Sequence, residues 1–245
     1  MTARFASQIF GWRTARNKRV VPNVADSNSD ASVAIAAEIN GLLGIKPPTP
    51  AAIAVTGASF EALVRDELAE DLEKARPGVF SVDLGRRISA FNQYRHLEAL
   101  DALVRGDRTG TLSAEIGRDY QIAPDVVVSV GTGAQRPMLH GFVSCKLTIR
   151  SDRVQNVRHE GIILTRHRRG RQPHVVAVTG EPFPSRLASI ARGTGELDAV
   201  YHVALEELVT ATEMAGSSEQ RHVLEELTSQ ERLLDFSQLP QILAV

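Results

Sequence analysis

Apolar positions recur at helical spacing through the first half of the chain and collect into β-branched runs after Pro124. Val33 to Leu43 predicts a helix, with Gly44 placed as the left-handed residue that closes it. The run KPPTPAA (46–52) breaks structure. Ser59 is positioned to cap a second helix in which Phe60, Leu63, Val64 and Leu68 share a face, ending near Arg76-Pro77-Gly78. A third helix is expected over about Ser89 to Val104. Beyond it, DVVVSV (125–130) and HVVAVT (174–179) are β-branched and LHGFVSCKLTI (139–149) alternates, so three strands are expected. A helix from Asp152 to about Arg166 separates the last two, and YHVALEELVTATEM and EQRHVLEELTSQ read as helical. The first thirty residues, ending in the polar run NVADSNSDAS (23–32), read as an arm with turns. The pattern predicts one α/β domain over 1–245, a small central mixed sheet flanked by helices, with no repeat and no low-complexity segment.

Composition adds little to this. Hydrophobic and charged fractions of 43% and 23% are ordinary for a globular chain, and 245 residues suffice for a sizeable core. A net charge of −1 excludes a global basic field, but not local ones. Arg13, Arg16, Lys18 and Arg19 form one basic cluster and RHRRGRQPH (166–174) another; solvated faces commonly look the same. A lone Cys145 forbids an internal disulfide and fits a reducing compartment. No apolar run approaches a membrane span, and the arginine-rich N-terminus lacks a secretory core, so a soluble intracellular protein is expected.

Candidate chemistry starts from a scarcity. The chain has four lysines against 24 arginines, yet Lys146 sits inside an apolar strand in SCKLTIRSDRVQN (144–156). Asp125 begins a strand 21 residues earlier, so a hairpin can bring the two together. A carboxylate that holds a divalent cation beside a lysine suits phosphodiester hydrolysis, because the cation activates water and the lysine offsets transition-state charge. The plainer readings are an edge-strand lysine that discourages aggregation and an ordinary Pro-Asp turn. Arg150, Asp152 and Arg153 form a second cluster. Arginine matches guanine O6 and N7 in the major groove and aspartate accepts from cytosine N4, so the cluster suits adjacent G·C pairs; Asp152 as a helix cap is the alternative. In VVVSVGTGAQRP (126–137), Gly131-x-Gly133 after a strand resembles a dinucleotide turn. The third glycine is missing, however, and Pro137 interrupts the helix that would follow, which favours a hairpin turn.

These residues sit in a longer array: GASFEAL (57–63), APDVVV (123–128), SCKLTIRSDRVQNVRHEG (144–161), RQPHVVAVTGEPFPSR (171–186), GTGELDAVYHVALEEL (193–208) and the terminal LPQILAV. In these blocks and their order the chain resembles the NgoMIV-type, CCGG-family type II restriction endonucleases of the PD-(D/E)xK superfamily. The resemblance implies a restriction-endonuclease-like core and catalytic residues Asp125, Lys146, Glu160 and Glu61. It implies two Mg²⁺ ions held by Asp125, the Cys145 carbonyl, Glu61 and Glu160, with Ser144 where the superfamily usually has an acid. Arg150, Asp152 and Arg153 are implied to read the inner CCGG. Arg186 and Asp26 are implied to read the outer pair, and Ser27 to touch the minor groove, within a DNA-contacting arm over 1–30. The implied target is GCCGGC, cut after the first G to leave a four-base 5′ overhang. The implied partners are double-stranded DNA, a second copy in a homodimer or homotetramer, and a cognate DNA methyltransferase in a bacterial cytoplasm. The chain departs from the family's best-known member in a much shorter Asp125–Lys146 loop, the region that joins two dimers there, and in a shorter N-terminus. A structure-specific repair nuclease and a catalytically dead DNA-binding protein are the rival readings.

Overall fold

The computed structural model describes residues 2–15, 18–50, 55–117, 120–131, 136–149, 151–193 and 195–245, with the backbone alone for Ser151, Asp152 and Arg153. Its N-terminal segment, expected over 1–30 as an arm with turns, carries regular elements among the described residues. A short helix, Ala6–Ile9 (α1), and a hairpin of Trp12–Thr14 (β1) with Val20–Pro22 (β2) are docked on the rest of the chain. Phe5, Ala6, Ile9 and Phe10 belong to the main core, and Phe5 meets Phe60 and Phe236 edge-on. Four buried apolar side chains make this a layer of the fold, since releasing them would expose them to water.

Helix Asp30–Leu42 (α2) starts earlier than its periodicity suggests because the Ser29 side chain accepts from Ser32 N–H. Gly44, at φ +75°, closes it as expected, and Ile45 N–H donates to the Asn40 carbonyl at 2.7 Å. In Gly57–Ala75 (α3) the cap is Thr56, correcting Ser59. Thr56 is extended while Ser59 is already helical, and the two hydroxyls serve each other's backbone N–H groups in a capping box. Phe60, Val64, Leu68 and Leu72 form the buried face.

Strand Phe80–Leu84 (β3) was not anticipated. The single helix expected over Ser89–Val104 is instead two 3₁₀ turns, Ile88–Ala90 and Asn92–Tyr94, followed by Arg95–Gly106 (α4). A tertiary contact sets that break: the Gln93 amide donates to the Leu139 carbonyl and accepts from Leu139 N–H, at 2.7 and 2.9 Å. After Thr111–Ile116 (α5) come Val126–Val130 (β4), Met138–Lys146 (β5), Ser151–His167 (α6), His174–Thr179 (β6) and Pro184–Ala191 (α7). The strand expected to run to Ile149 stops at Lys146, because Leu147 turns its carbonyl to Gly180 N–H. The helix expected from Tyr201 starts only at Leu205 (α8, Leu205–Ala215), because Tyr201 and His202 belong to Ala199–His202 (β7), a strand buried at every position. Ser218–Ser229 (α9), Leu233–Asp235 (β8) and Leu239–Leu243 (α10) complete the chain.

The main sheet runs β3-β4-β5-β6-β7-β8, antiparallel through β5 and parallel from β5 to β8. It is the mixed, helix-flanked sheet that the pattern predicts. Its two faces feed two cores. Val126, Val128, Val143 and Cys145 belong to the larger, while Val127, Leu139 and Phe142 join Phe91, Tyr94 and Leu164 in the smaller. Because β4 is followed by its antiparallel neighbour and not by a helix, a dinucleotide turn at Gly131 is excluded. Gly133 lies outside the described residues. Among the described residues no helix is long and apolar enough to cross a membrane.

Candidate active site

Asp125 lies one residue before β4, and the pairing of Val126 with Val143 sets it across from the end of β5. Its Oδ2 accepts from Cys145 N–H at 2.7 Å, from Lys146 Nζ at 2.5 Å and from Ser144 Oγ at 3.4 Å. Lys146 is therefore not an edge-strand lysine, because β5 sits inside the six-stranded sheet. The plain Pro-Asp turn fails as well, since this carboxylate gathers donors from the next strand. Alternation along β5 places Ser144 and Lys146 opposite to the face that buries Cys145 in the main core. Burial pushes the Cys145 thiol well up, which disfavours the thiolate that a metal would need from its sulfur.

Two helices bring further carboxylates. Glu61 stands in the first turns of α3 and Glu160 in α6, each within electrostatic reach of both Asp125 and Lys146. Burial raises the Glu160 carboxyl to about 7; the charge of Asp125 adds to the rise and Lys146 opposes it. Glu61 is raised as well, by burial first and then by Asp125, with Lys146 opposing. The seat of α6 depends on a glycine. A Cβ on Gly161 would come within 2.2 Å of the Glu196 carbonyl oxygen, so a side chain there would push Glu160 away from the lysine. Asp125 and Lys146 are thus in contact, with Glu61 and Glu160, from two further segments, within reach of their charges.

Oxygen donors of this kind suit a hard divalent cation. Three carboxylates face a single lysine, and the surplus negative charge, costly in a half-buried place, is what a cation would relieve. Among the described residues no three acidic, histidine or cysteine side chains are already gathered to hold a metal. A magnesium-like ion needs no such cage, since it takes one or two carboxylates and fills its shell with water and phosphate oxygens. The donor set therefore fits the ion.

Beside this site opens a cleft of about 1100 Å³, lined among others by Arg13, Asp26, Ser27, Gln155, Arg186 and Ser189. Arg186, in the first turn of α7, donates from Nη2 to Asp26 Oδ2. The residues implied for the outer pair, from positions 160 residues apart, are thus in contact. Thr148 and Ile149 line the same cleft, so it starts two residues beyond Lys146. Arg150 lies outside the described residues, as do the side chains of Asp152 and Arg153. The backbone places Asp152 and Arg153 inside the first turn of α6, which corrects the reading of Asp152 as its cap. Sequence reading named Arg13 only as part of a basic cluster and passed over Gln155, a type common on any surface. It also passed over Glu181, an acid inside the quoted GEPFPSR segment that is fully buried.

The family described as NgoMIV restriction enzyme matches residues 9–134 and 130–245. The type II restriction enzyme NgoMIV of Neisseria gonorrhoeae is 37% identical over 267 residues, covering 94% of this chain and 92% of that protein. Among solved structures, the type IIF restriction endonuclease Bse634I with cognate DNA is similar at a TM-score of 0.39 and 13% identity, covering 97% of both chains. A complex of the pre-specific restriction endonuclease BsaWI with DNA gives 0.34 and 15%, over 71% of this chain and 64% of that one. Those two likenesses are loose, and membership rests on the sequence matches. On those matches, spanning nearly its whole length, the chain belongs to the NgoMIV restriction enzyme family.

Proposed function

We propose that this type II restriction endonuclease cuts both strands of DNA at the palindrome GCCGGC, after the first G, with Mg²⁺ as its cofactor. The observation that carries the reading is the Asp125–Lys146 contact, with Glu61 and Glu160 around it, at the strand end that feeds the Arg150–Arg153 segment. Asp125, Glu61, Glu160 and the Cys145 carbonyl would hold two Mg²⁺ ions, which when bound supply a water of lowered pKa and neutralise charge on the phosphate. Lys146 orients the attacking water and offsets charge that grows on the phosphoryl oxygens. Ser144 and Cys145 N–H fix the Asp125 carboxylate through their hydrogen bonds, so it need not reorganise during the reaction. Arg150, Asp152 and Arg153 read the inner CCGG, Arg186 and Asp26 the outer pair, and Ser27 the minor groove. A palindrome presents the same bases twice, so two copies related by a two-fold axis are the minimum assembly, and a homotetramer pairs two of them. A host that carries such an activity needs a DNA methyltransferase of matching specificity.

Incubating a plasmid that bears one GCCGGC site with the protein and Mg²⁺ tests this. The expected result is a single linear product whose sequenced ends carry a 5′ CCGG overhang. Smearing or nicking at distorted DNA points to a structure-specific nuclease, and a gel shift without cleavage to a dead binder.

Two quantitative predictions belong here. Arg186→Ala is expected to lose ~1–3 kcal/mol of discrimination at the outer base pair while leaving the inner CCGG fully read. Competition binding against all four outer pairs measures it, and a loss at the inner pairs places Arg186 elsewhere. The second concerns protons. The carboxyl of Glu160, raised to about 7 by burial, ionises as pH rises through that value, and only then offers a full negative charge to a metal. Mg²⁺ affinity is therefore expected to climb between about pH 6 and 8 and to release protons on binding. Calorimetry in buffers of different ionisation heats reads both; equal affinity and no proton release at pH 6 contradict the assignment of Glu160.

A further inference from the structure

Glu181 is wholly buried, and its carboxylate is held by backbone N–H groups and not by the catalytic lysine. Its Oε2 accepts from Ile149 N–H at 2.7 Å, and its Oε1 from Phe183 N–H at 3.2 Å. Ile149 is the residue before Arg150, where the segment leaves β5 for α6. Phe183 is the cap residue of α7, whose carbonyl receives Arg186 N–H at 2.9 Å. One carboxylate thus joins two loops, each leading to a different set of proposed base-reading side chains. Arg186 Nη1 also lies 4.0 Å from Glu181 Oε1, so its guanidinium stands between this fixed acid and Asp26.

Neighbouring bonds tighten the same joint. Gly180 N–H donates to the Leu147 carbonyl at 3.1 Å, the Thr179 hydroxyl donates to that carbonyl at 3.5 Å, and Glu181 N–H donates to Thr179 Oγ1 at 3.1 Å. A Cβ on Gly180 would approach Leu147 Cδ1 to 3.1 Å, which shows how closely the two strand exits are laid together. Lys146, the residue before Leu147, is held by the same strand end.

We propose that Glu181 is a positioning residue that holds the inner and outer base-reading segments in one register, and both of them against the catalytic strand end. The inference rests on the reading above, that these segments face DNA bases. The chemistry asks for a carboxylate. Both of its oxygens accept from buried backbone N–H groups, whereas an amide has one acceptor and turns its NH₂ against the other donor. A glutamine therefore keeps one of the two hydrogen bonds and breaks the bridge, so the two segments lose their common register. When DNA enters, Asp26 must give up Arg186 for the bases to be read, and Glu181 keeps the arginine in place meanwhile.

The test uses the full-length protein and first identifies, by sequencing digested ends, the palindrome that the wild type cuts. Cleavage of that duplex is then compared with duplexes changed at the outer or the inner pair, for wild type, Glu181→Gln, Thr179→Val and Asp101→Asn. Asp101 is a buried acid of α4 that accepts from Tyr120 and Gln121 away from the cleft, so it controls for lost stability alone. Glu181→Gln is expected to lower discrimination about tenfold at both the outer and inner pairs. Thr179→Val, close to isosteric, should do the same to a smaller degree, and Asp101→Asn should lower the melting temperature with discrimination intact. Wild-type discrimination in folded Glu181→Gln and in Thr179→Val overturns the proposal, and so does an equal loss in Asp101→Asn. If Glu181→Gln does not fold, Thr179→Val decides. A wild type that cuts a different palindrome refutes the GCCGGC assignment alone, since the ratios are taken on its own site. A wild type without sequence preference refutes both.

Discussion

Lys146→Ala is expected to lose cleavage by about 10³-fold or more while binding its DNA site within a few-fold of the wild type. The ammonium touches Asp125 at the end of a central strand, and no base-reading residue depends on it for a hydrogen bond among the described contacts. Its charge matters most where the phosphoryl oxygens become more negative, which happens in the transition state and not in the bound duplex. Removing it should therefore fall on the rate and spare the ground state. Single-turnover cleavage and a binding titration at matched salt measure the two effects separately. A variant that cuts at the wild-type rate removes Lys146 from catalysis, and equal losses in binding and rate make it a phosphate anchor.

Asp125→Asn should lose at least as much activity and yet show the opposite sign in metal-free DNA binding. The carboxylate accepts from Cys145 N–H and Lys146 Nζ and stands with Glu61 and Glu160 in a site of surplus negative charge. An amide removes one negative charge facing the phosphates and releases the lysine toward them. Without Mg²⁺, affinity is expected to rise a few-fold and the salt dependence to steepen. With Mg²⁺ the gain should disappear, because the wild-type carboxylates are then neutralised and the variant holds the ion poorly. Titrations with and without Mg²⁺ across a salt series check this. A metal-free affinity below that of the wild type would show that Asp125 supports the protein surface at this point and does not repel DNA.

The joint at Glu181 gives the fold a way to make the two reading segments interdependent. Inner and outer contacts that share one rigid anchor succeed or fail together, so a wrong outer pair can disturb the strand end that carries Lys146. On that proposal, specificity in the cutting step would exceed specificity in binding, since a misplaced lysine slows the reaction without detaching the protein.

How far the site could be read in advance differs from residue to residue. Asp125 and Lys146 stood out by type and by the hairpin between them, which local pattern can reveal. Nothing local to Glu61 or Glu160 distinguishes them from other helical acids. They were named through the likeness of whole blocks of sequence, and only the packing of α3 and α6 on the sheet brings them to the lysine. Glu181 was overlooked because an acid before Pro182 looks like a solvated loop residue until both of its oxygens are seen to be occupied. The errors in the fold have the same origin. β7 is only four residues long and leads straight toward a helix, so alternation had no room to declare itself, and burial between β6 and β8 made it a strand. The helix expected from Ser89 broke at Phe91 because the Gln93 side chain is claimed by the backbone of β5.

Whole blocks of sequence carried the family resemblance, while local physics in the chain itself determined where most helices lie, which runs are buried strands, and that a lysine and an aspartate could meet across a hairpin. These follow from periodicity, capping and residue type, each of which acts over a few neighbouring positions. The meeting of Asp26 with Arg186, the gathering of acids from α3 and α6, and the buried bridge from Glu181 to two loops were decided only in the tertiary structure. Such contacts join residues tens to more than a hundred positions apart, and their energies depend on a burial that exists only once the sheet and its helices have closed around them.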